Sequence, residues 1–286
     1  MGLLDGKVAL VTGAGGGLGR EHALAMAREG AKVVVNDLGG ARDGSGSGSH
    51  SMADQVVAEI KGFGGQAIAQ YDSVATVEGG ERIVKAAVDA FGKLDICVNN
   101  AGILRDKSLT NTTEDLWDIV VQVHLKGTYC VTRPAFAHMK ERGQGGVIIN
   151  TSSTSGLNGN FGQSNYGAAK AGIWGFTRCV AIEGRKNKIR CYALAPIAHT
   201  RLTGDLAGFQ DPSMKEKMNP KLVSPLVVFL ASELASELTD KTFLVGGGRI
   251  AEMRMVTAPG VNKTDNGGLW TAEEVAARIN EILLPG

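Results

Sequence analysis

Residues 7–20 read KVALVTGAGGGLGR, and this stretch decides the fold. The first six residues are mostly β-branched and apolar, which predicts a buried β-strand that ends at Thr12. Gly13 allows a tight turn, while Gly17 and Gly19 let the backbone approach a pyrophosphate at the start of the following helix. The amino end of a helix stabilises such an anion. Strand, glycine turn and helix together predict a dinucleotide-binding βα unit.

The alternation of strand and helix continues along the chain. Six further apolar runs predict strands at 32–36, 66–70, 94–99, 147–152, 189–194 and 242–246. Because these strands are almost continuously apolar, we expect a parallel sheet with helices on both faces. We therefore predict an α/β doubly wound Rossmann fold with seven parallel strands over residues 1–248. Residues 249–286 are interpreted as a C-terminal extension, packed on the same domain or on a neighbouring subunit.

Composition excludes several classes of partner. The 286 residues carry a net charge of +1, so no basic surface for nucleic acid is indicated. No apolar run is long enough for a membrane span, and Asp5 and Lys7 interrupt any signal peptide. Since the C-terminal ILLPG is no known targeting signal, we expect a cytoplasmic protein. The four cysteines form no CxxC pair, so we expect buried free thiols and no metal site.

Acidic residues at two strand ends bear on the choice of cofactor. Asp37 ends the second strand, where a carboxylate accepts hydrogen bonds from ribose hydroxyls and repels a 2′-phosphate. Gly16 supplies no basic side chain in the loop, and Arg42 lies in the Gly/Ser-rich stretch 37–51. We therefore expect NAD rather than NADP. Asp72 follows the third strand and either binds the adenine amino group or serves as a turn or capping residue.

A catalytic group is predicted from YGAAK at 166–170. Tyr166 and Lys170 lie one helical turn apart on the same face. The ammonium should lower the pKa of the phenol from its usual value near ~10. Tyr166 could then exchange a proton with a substrate hydroxyl while a hydride moves to or from a nicotinamide. Ser153, just after the fifth strand, could hold the substrate oxygen beside it.

Together, TGAGGGLG, NNAG at 99–102, Ser153 and YGAAK resemble the short-chain dehydrogenase/reductase family. The resemblance implies the strand order 3-2-1-4-5-6-7 and a serine–tyrosine–lysine set that interconverts alcohols and ketones. It also implies that Lys170 binds the nicotinamide ribose. Further cofactor contacts that the resemblance implies are Leu18, Ser73, Asn99, Ala101, Gly102, Tyr166, Pro196 and Thr200.

The chain departs from the family pattern at two positions. A fourth catalytic residue is usually asparagine, whereas HLKG places His124 there. His124 either serves the same water-mediated proton relay or is a satisfied helix histidine. The Pro-Gly that usually follows the sixth strand is Pro196-Ile197, where we expect only local repacking.

Finer motifs bear on the substrate. NDLGG (36–40), YDSV (71–74), NAGILRD (100–106), GNFGQSNYGAAK (159–170) and AIEGRK (181–186) resemble one subgroup of the family. That subgroup comprises the (3R)-hydroxyacyl-CoA dehydrogenase domains of multifunctional peroxisomal enzymes and their bacterial single-domain relatives. The resemblance implies oxidation of a 3-hydroxyacyl-CoA to a 3-ketoacyl-CoA with NAD.

Two other functions stay open. One is a dehydrogenase for a 17-beta type hydroxysteroid or a cyclic secondary alcohol, since some relatives act on steroids. The other is a nucleotide-binding module without catalysis, which would require damage to Ser153, Tyr166 or Lys170. All three are intact.

Candidate substrate contacts are less specific. Arg105 could bind CoA phosphates or be a solvated surface charge, and Asn158 and Phe161 lie between Ser153 and Tyr166 in the sequence. Leu202 and Leu206 suit either an acyl or sterol body or the packing of a mobile loop. The predicted helices at 113–141 and 163–185 are apolar on more than one face. The resemblance implies that they form the interface of a homodimer or homotetramer.

Overall fold

The computed structural model describes residues 2–41, 43–44, 50–200, 203 and 211–284. Eight strands are present in this part of the chain: β1 Val8–Thr12, β2 Lys32–Asn36, β3 Ala67–Gln70, β4 Ile96–Asn99, β5 Gly146–Thr151, β6 Ile189–Pro196, β7 Lys241–Gly246 and β8 Arg249–Glu252. The α-helices are α1 Gly17–Arg28, α2 Ser51–Gly62, α3 Val77–Phe91, α4 Glu114–Val121, α5 Gly127–Arg142, α6 Thr154–Asn158, α7 Ser164–Gly184, α8 Pro212–Lys217, α9 Ser224–Ala231, α10 Ala272–Ala277 and α11 Ile279–Ile282.

These strands form one sheet in the order β3-β2-β1-β4-β5-β6-β7-β8. The first seven strands are parallel, which confirms the predicted doubly wound fold and its strand order. The order reverses beside β1, so the loops after β1 and β4 open a crevice at the carboxyl edge of the sheet. Ligands bind at this point in open α/β sheets.

The eighth strand corrects the prediction that the sheet ends at β7. Gly247 and Gly248 both have positive φ and form a two-residue turn that brings β8 antiparallel to β7. The sequence interpretation placed 249–252 in the C-terminal extension. It missed this strand because RIAE is mostly exposed at the sheet edge and therefore carries no apolar run.

Apolar residues cover both faces of the sheet. Alternate residues of β1 point to opposite faces, with Ala9 and Val11 on one and Val8 and Leu10 on the other. The first face packs against residues of α1, α2 and α9, and the second against residues of α3, α5 and α7. This burial fixes the register of the central strands, and with it the loops at their carboxyl ends.

The predicted helix over 113–141 is interrupted. Residues Gln122–Lys126 form a π-helical turn between α4 and α5, directly before Gly127. Such turns are rare and occur frequently at functional sites. His124 lies at the centre of this turn and is buried.

The chain divides into two compact units, Met1–Glu252 and Met253–Gly286. In the second unit, Thr271 and Glu274 form a capping box at the start of α10. No helix in the described part of the chain has the length and apolar character that a membrane crossing requires. Cys97, Cys130 and Cys191 are buried free thiols as expected, whereas Cys179 is exposed.

Candidate active site

The glycine turn after β1 is shaped by close backbone packing. Gly13 has φ +62°, and a Cβ there would lie 2.7 Å from the Cα of Ala101. A Cβ on Gly19 would overlap the carbonyl oxygen of Gly13. Because no side chain fits at either position, the turn lies directly against the NNAG segment and α1 begins beside it.

A cavity of about 330 Å³ opens above this turn. The predicted cofactor residues that line it are Gly13, Gly16, Gly17, Leu18, Asp37, Asp72, Ser73, Ala101, Gly102 and Thr200. Five others do not line it: Gly19, Asn99, Pro196, Tyr166 and Lys170. Of these, Asn99 is buried beneath, where its side-chain amide donates to Thr132 and Asn150.

Asp37 is held at the wall of this cavity by backbone groups. Its carboxylate accepts hydrogen bonds from the N–H of Gly15 at 2.8 Å and of Gly39 at 2.7 Å. The carboxylate retains acceptor capacity for ribose hydroxyls. The cavity therefore fits a dinucleotide, because a glycine-rich turn meets helix α1 at one end and an anchored carboxylate lines another part of its wall.

Asp72 has partners within the protein. Its carboxylate forms an ion pair with Arg82 at 2.7 Å and accepts from Gln70 at 2.5 Å. Asn36 donates to the backbone carbonyl of Asp72 at 2.9 Å. The residue thus organises the ends of β2 and β3, and its contact with adenine stays a prediction.

Ser153, Tyr166 and Lys170 come together at the ends of β5 and α7. Ser153 caps α6, since its Oγ accepts from the N–H of Ser155 at 3.1 Å, and its hydroxyl interacts with Tyr166 in a way that favours the phenolate. Lys170 donates to the carbonyl of Thr151 at 2.5 Å, and its Nζ lies 5.5 Å from the centre of the Tyr166 ring. The chain therefore forms a cluster of two hydroxyls and one amine.

Burial controls the charges in this cluster. Burial raises the pKa of Tyr166 to about 12, although the interaction with the Ser153 hydroxyl opposes the increase. Burial also lowers the pKa of Lys170 to about 7. The sequence predicted that Lys170 lowers the pKa of Tyr166. This prediction is wrong, because desolvation of the buried phenol raises its pKa.

His124 packs against the same cluster. Its ring meets the Tyr166 ring edge-on, with centroids 5.2 Å apart, and its Nε2 lies 2.7 Å from the carbonyl oxygen of Ile103. Burial, with the charge of Lys170, lowers the pKa of His124 to about 3, so the ring is neutral. Its Nδ1 has no hydrogen-bond partner among the described residues. Gly102 makes room for the ring, since a Cβ there would overlap it.

The predicted substrate contacts do not form one group. Arg105 donates from its Nε to the carbonyl of Asp43 at 2.6 Å, so part of its guanidinium is engaged by the loop after β2. Asn158 is exposed at the end of α6, and Phe161 is 91% exposed. Leu202 and Leu206 lie outside the described residues. The substrate-binding role of all five stays a prediction.

Sequence reasoning missed two polar residues beside the cluster, Asp106 and Gln163. Gln163 is buried and donates to Asp106 at 2.8 Å, and its carbonyl oxygen accepts from Ser155 and Asn160. A glutamine three residues before the tyrosine was the available signal. In sequence alone it resembles any polar loop residue.

Comparisons with known proteins identify the family of this chain. The family described as "short chain dehydrogenase" matches residues 7–207. The mouse peroxisomal multifunctional enzyme type 2 is 52% identical over 87% of this chain, which spans 33% of that protein. A Mycobacterium tuberculosis protein named hydroxyacyl-CoA dehydrogenase ChsB1 is 36% identical over 97% of this chain and 89% of its own length. A crystal structure of a Mycobacterium avium short chain dehydrogenase has a TM-score of 0.85, with 43% identity, and the match covers 98% of this chain and 96% of that one.

Proposed function

Because this chain belongs to the short-chain dehydrogenase family, we propose that it oxidises (3R)-3-hydroxyacyl-CoA to 3-ketoacyl-CoA with NAD as hydride acceptor. The observation that carries the proposal is the Ser153, Tyr166 and Lys170 cluster in a fold whose glycine turn fits a dinucleotide. The substrate class is supported by the similarity to ChsB1, whose name specifies a hydroxyacyl-CoA.

The side chains divide the chemistry between them. Ser153 and Tyr166 bind the oxygen of the substrate alcohol, and the deprotonated Tyr166 takes its proton. The cationic form of Lys170 stabilises the phenolate as it forms. Hydride acceptance is the chemistry that NAD supplies when bound. Since oxidation needs the phenolate, its rate should increase with pH, whereas ketone reduction needs the protonated phenol and should slow.

His124 is a further part of this proposal. Its neutral ring contacts Tyr166 and holds the backbone of Ile103, which lines the dinucleotide cavity. We propose that it replaces the usual asparagine, positions the loop after β4 and serves the water-mediated proton relay. The Nδ1 atom, which lacks a partner among the described residues, is an acceptor or donor for that water.

The substrate proposal is tested with matched R and S 3-hydroxyacyl-CoA esters of several chain lengths, alongside hydroxysteroids. NADH or NADPH formation is followed by absorbance, with Tyr166→Phe as the inactive control. We expect turnover of the R esters with NAD. Turnover of hydroxysteroids with none of any acyl-CoA ester would overturn the proposal in favour of a steroid dehydrogenase.

The preference for NAD is tested with Asp37→Ala. Removing the carboxylate that Gly15 and Gly39 hold should weaken NAD binding by about tenfold, through lost hydrogen bonds to ribose. It should also strengthen NADP binding, because the repulsion of the 2′-phosphate is lost. Fluorescence titration with both cofactors measures the change. Unchanged affinity for both would remove Asp37 from the ribose site.

We also propose a homodimer or homotetramer. Helices α4, α5 and α7 expose the large apolar residues Trp117, Tyr129 and Ile182 in one chain. Such residues are typical of interfaces. Sedimentation equilibrium would measure the state, and a monomer at micromolar concentration would contradict the proposal.

A further inference from the structure

Gln163 joins the segments that build the catalytic cluster. It precedes α7, is only 5% exposed, and forms an isolated parallel bridge with Lys107 in the loop after β4. Its Oε1 accepts from Ser155 Oγ at 2.8 Å and from Asn160 at 3.0 Å. One buried amide thus ties the loop after β4 to α6 and to the segment that follows α6.

A hydrogen-bonded path runs from this amide to the catalytic serine. Ser155 donates its hydroxyl to Gln163, while its backbone N–H donates to Ser153 Oγ at 3.1 Å. A buried amide that lost these partners would pay a desolvation cost. The path therefore restrains the position of Ser153 and, through it, the position of the Ser153 hydroxyl relative to Tyr166.

Asp106 binds the NH2 group of the Gln163 side chain. Its Oδ2 accepts from Gln163 Nε2 at 2.8 Å, which fixes the orientation of the glutamine. An acceptor of this kind forces the oxygen of Gln163 toward Ser155 and Asn160. Gln163 lies three residues before Tyr166, so the carboxylate bonded to it also places a negative charge in this part of the site. That charge disfavours the Tyr166 phenolate and raises its pKa.

We propose that Gln163 and Asp106 are positioning residues for the reaction: Gln163 holds Ser153 in place through Ser155, and Asp106 orients Gln163 and adjusts the electrostatic field at Tyr166. This inference rests on the proposed dehydrogenase function. Gln163 and Asp106 do not touch the reacting atoms. They affect the position of the Ser153 hydroxyl and the pH at which the Tyr166 phenol ionises.

The charges of the other groups that face Tyr166 decide whether the effect of Asp106 on the pKa of the phenol can be measured by itself. Lys170 faces it from α7, His124 from the π-helical turn, and Ser153 from the end of β5. His124 is neutral above about pH 3, and Ser153 carries no charge. Lys170 loses its charge near pH 7, so above that pH Asp106 is the charged group of this set that acts on the phenol.

Asp106→Asn tests the electrostatic part. An asparagine can still accept from Gln163, so the charge is removed while the hydrogen bond is kept. We expect the rising limb of the pH profile of kcat/KM for oxidation to move to lower pH. The matched control is Asp115→Asn, which removes an exposed carboxylate on α4 and should leave the limb in place. An unmoved limb in Asp106→Asn would overturn this part.

Gln163→Ala tests the positioning part. We expect kcat to fall by roughly tenfold or more, with the Kd for NAD within about twofold of wild type. Gln163→Glu should also lose activity, because its carboxylate faces that of Asp106. Combining it with Asp106→Asn restores a donor opposite the new carboxylate and should recover activity. A wild-type kcat in Gln163→Ala, or a double variant no better than Gln163→Glu, would contradict the positioning role.

A measurement without cofactor separates this inference from the proposed function. Carbon NMR of labelled tyrosine follows the four tyrosines, and Tyr166→Phe assigns the relevant signal. In Asp106→Asn, the Tyr166 signal should begin to titrate at lower pH than in wild type. This result would support the electrostatic role of Asp106 even if no substrate were oxidised. An unchanged titration would refute that role, whatever the activity.

Discussion

The two halves of the crevice are built by different means. After β1 to β3, the wall of the dinucleotide cavity includes the closely packed glycine turn, with Asp37 held by two N–H groups. After β4 to β6, the site is built from buried side chains, and burial shifts the pKa values of Tyr166 and Lys170. The first half should therefore respond to added volume, and the second to a change in charge or proton donors.

Tyr166→Phe should show the largest effect. The ring remains, so packing against His124 is kept, but the proton acceptor is lost. We expect kcat to fall by about 100-fold to 10,000-fold, with the Kd for NAD almost unchanged. Steady-state kinetics and fluorescence titration measure the two quantities. A variant that kept most of its kcat would show that the proton goes elsewhere.

Gly19→Ala tests the first half of the crevice. Its Cβ would overlap the Gly13 carbonyl oxygen, so the turn must shift at a cost of about 1 to 3 kcal/mol. We expect a lower melting temperature and weaker NAD binding. Gly16→Ala is the matched control for stability, because its Cβ would meet only the flexible methyl end of Met52, at 3.3 Å. Equal melting temperatures for both variants would contradict this explanation.

A smaller effect is the pH dependence of the free energy of unfolding. It comes from two buried histidines, one in each half of the crevice. His22 on α1 bonds Ser224 at 2.9 Å, and burial lowers its pKa, like that of His124, to about 3. In the unfolded chain both histidines are protonated near pH 6.5, whereas in the folded chain they stay neutral down to about pH 3. Their contribution to the free energy of unfolding is therefore fully present above pH 6.5 and is lost as the pH falls toward 3. The slope should approach about 1.4 kcal/mol per pH unit for each histidine.

Urea unfolding between pH 7 and 5 measures this slope. His22→Gln should remove the contribution of the first half and leave that of His124. If the slope were the same in the variant and the wild type, His22 would not be the buried neutral group that the structure indicates.

The sequence predicts those features of the fold and the site that depend on a local pattern of residues. The seven parallel strands follow from apolar runs, and Ser153, Tyr166 and Lys170 follow from strand ends and helical spacing. Strand β8 could not be predicted in this way, because an exposed edge strand needs no apolar residues.

Burial is the other property that the sequence does not reveal. The raised pKa of Tyr166 depends on how much water the fold excludes, which helical spacing does not indicate. Gln163 and Asp106 meet only because the loop after β4 runs beside the chain before α7. Their contact joins positions that are distant in sequence, so no local pattern marks it.

The contact between Gly102 and His124 constrains how this protein can vary. The Cβ of an alanine at 102 would overlap the imidazole ring of His124, whereas a smaller side chain at 124 would remove this overlap. Substitutions at the two positions are therefore not independent. In a library that varies each position alone, substitutions at 102 should not be tolerated. A library that varies both positions together should contain functional sequences that neither single-position library contains.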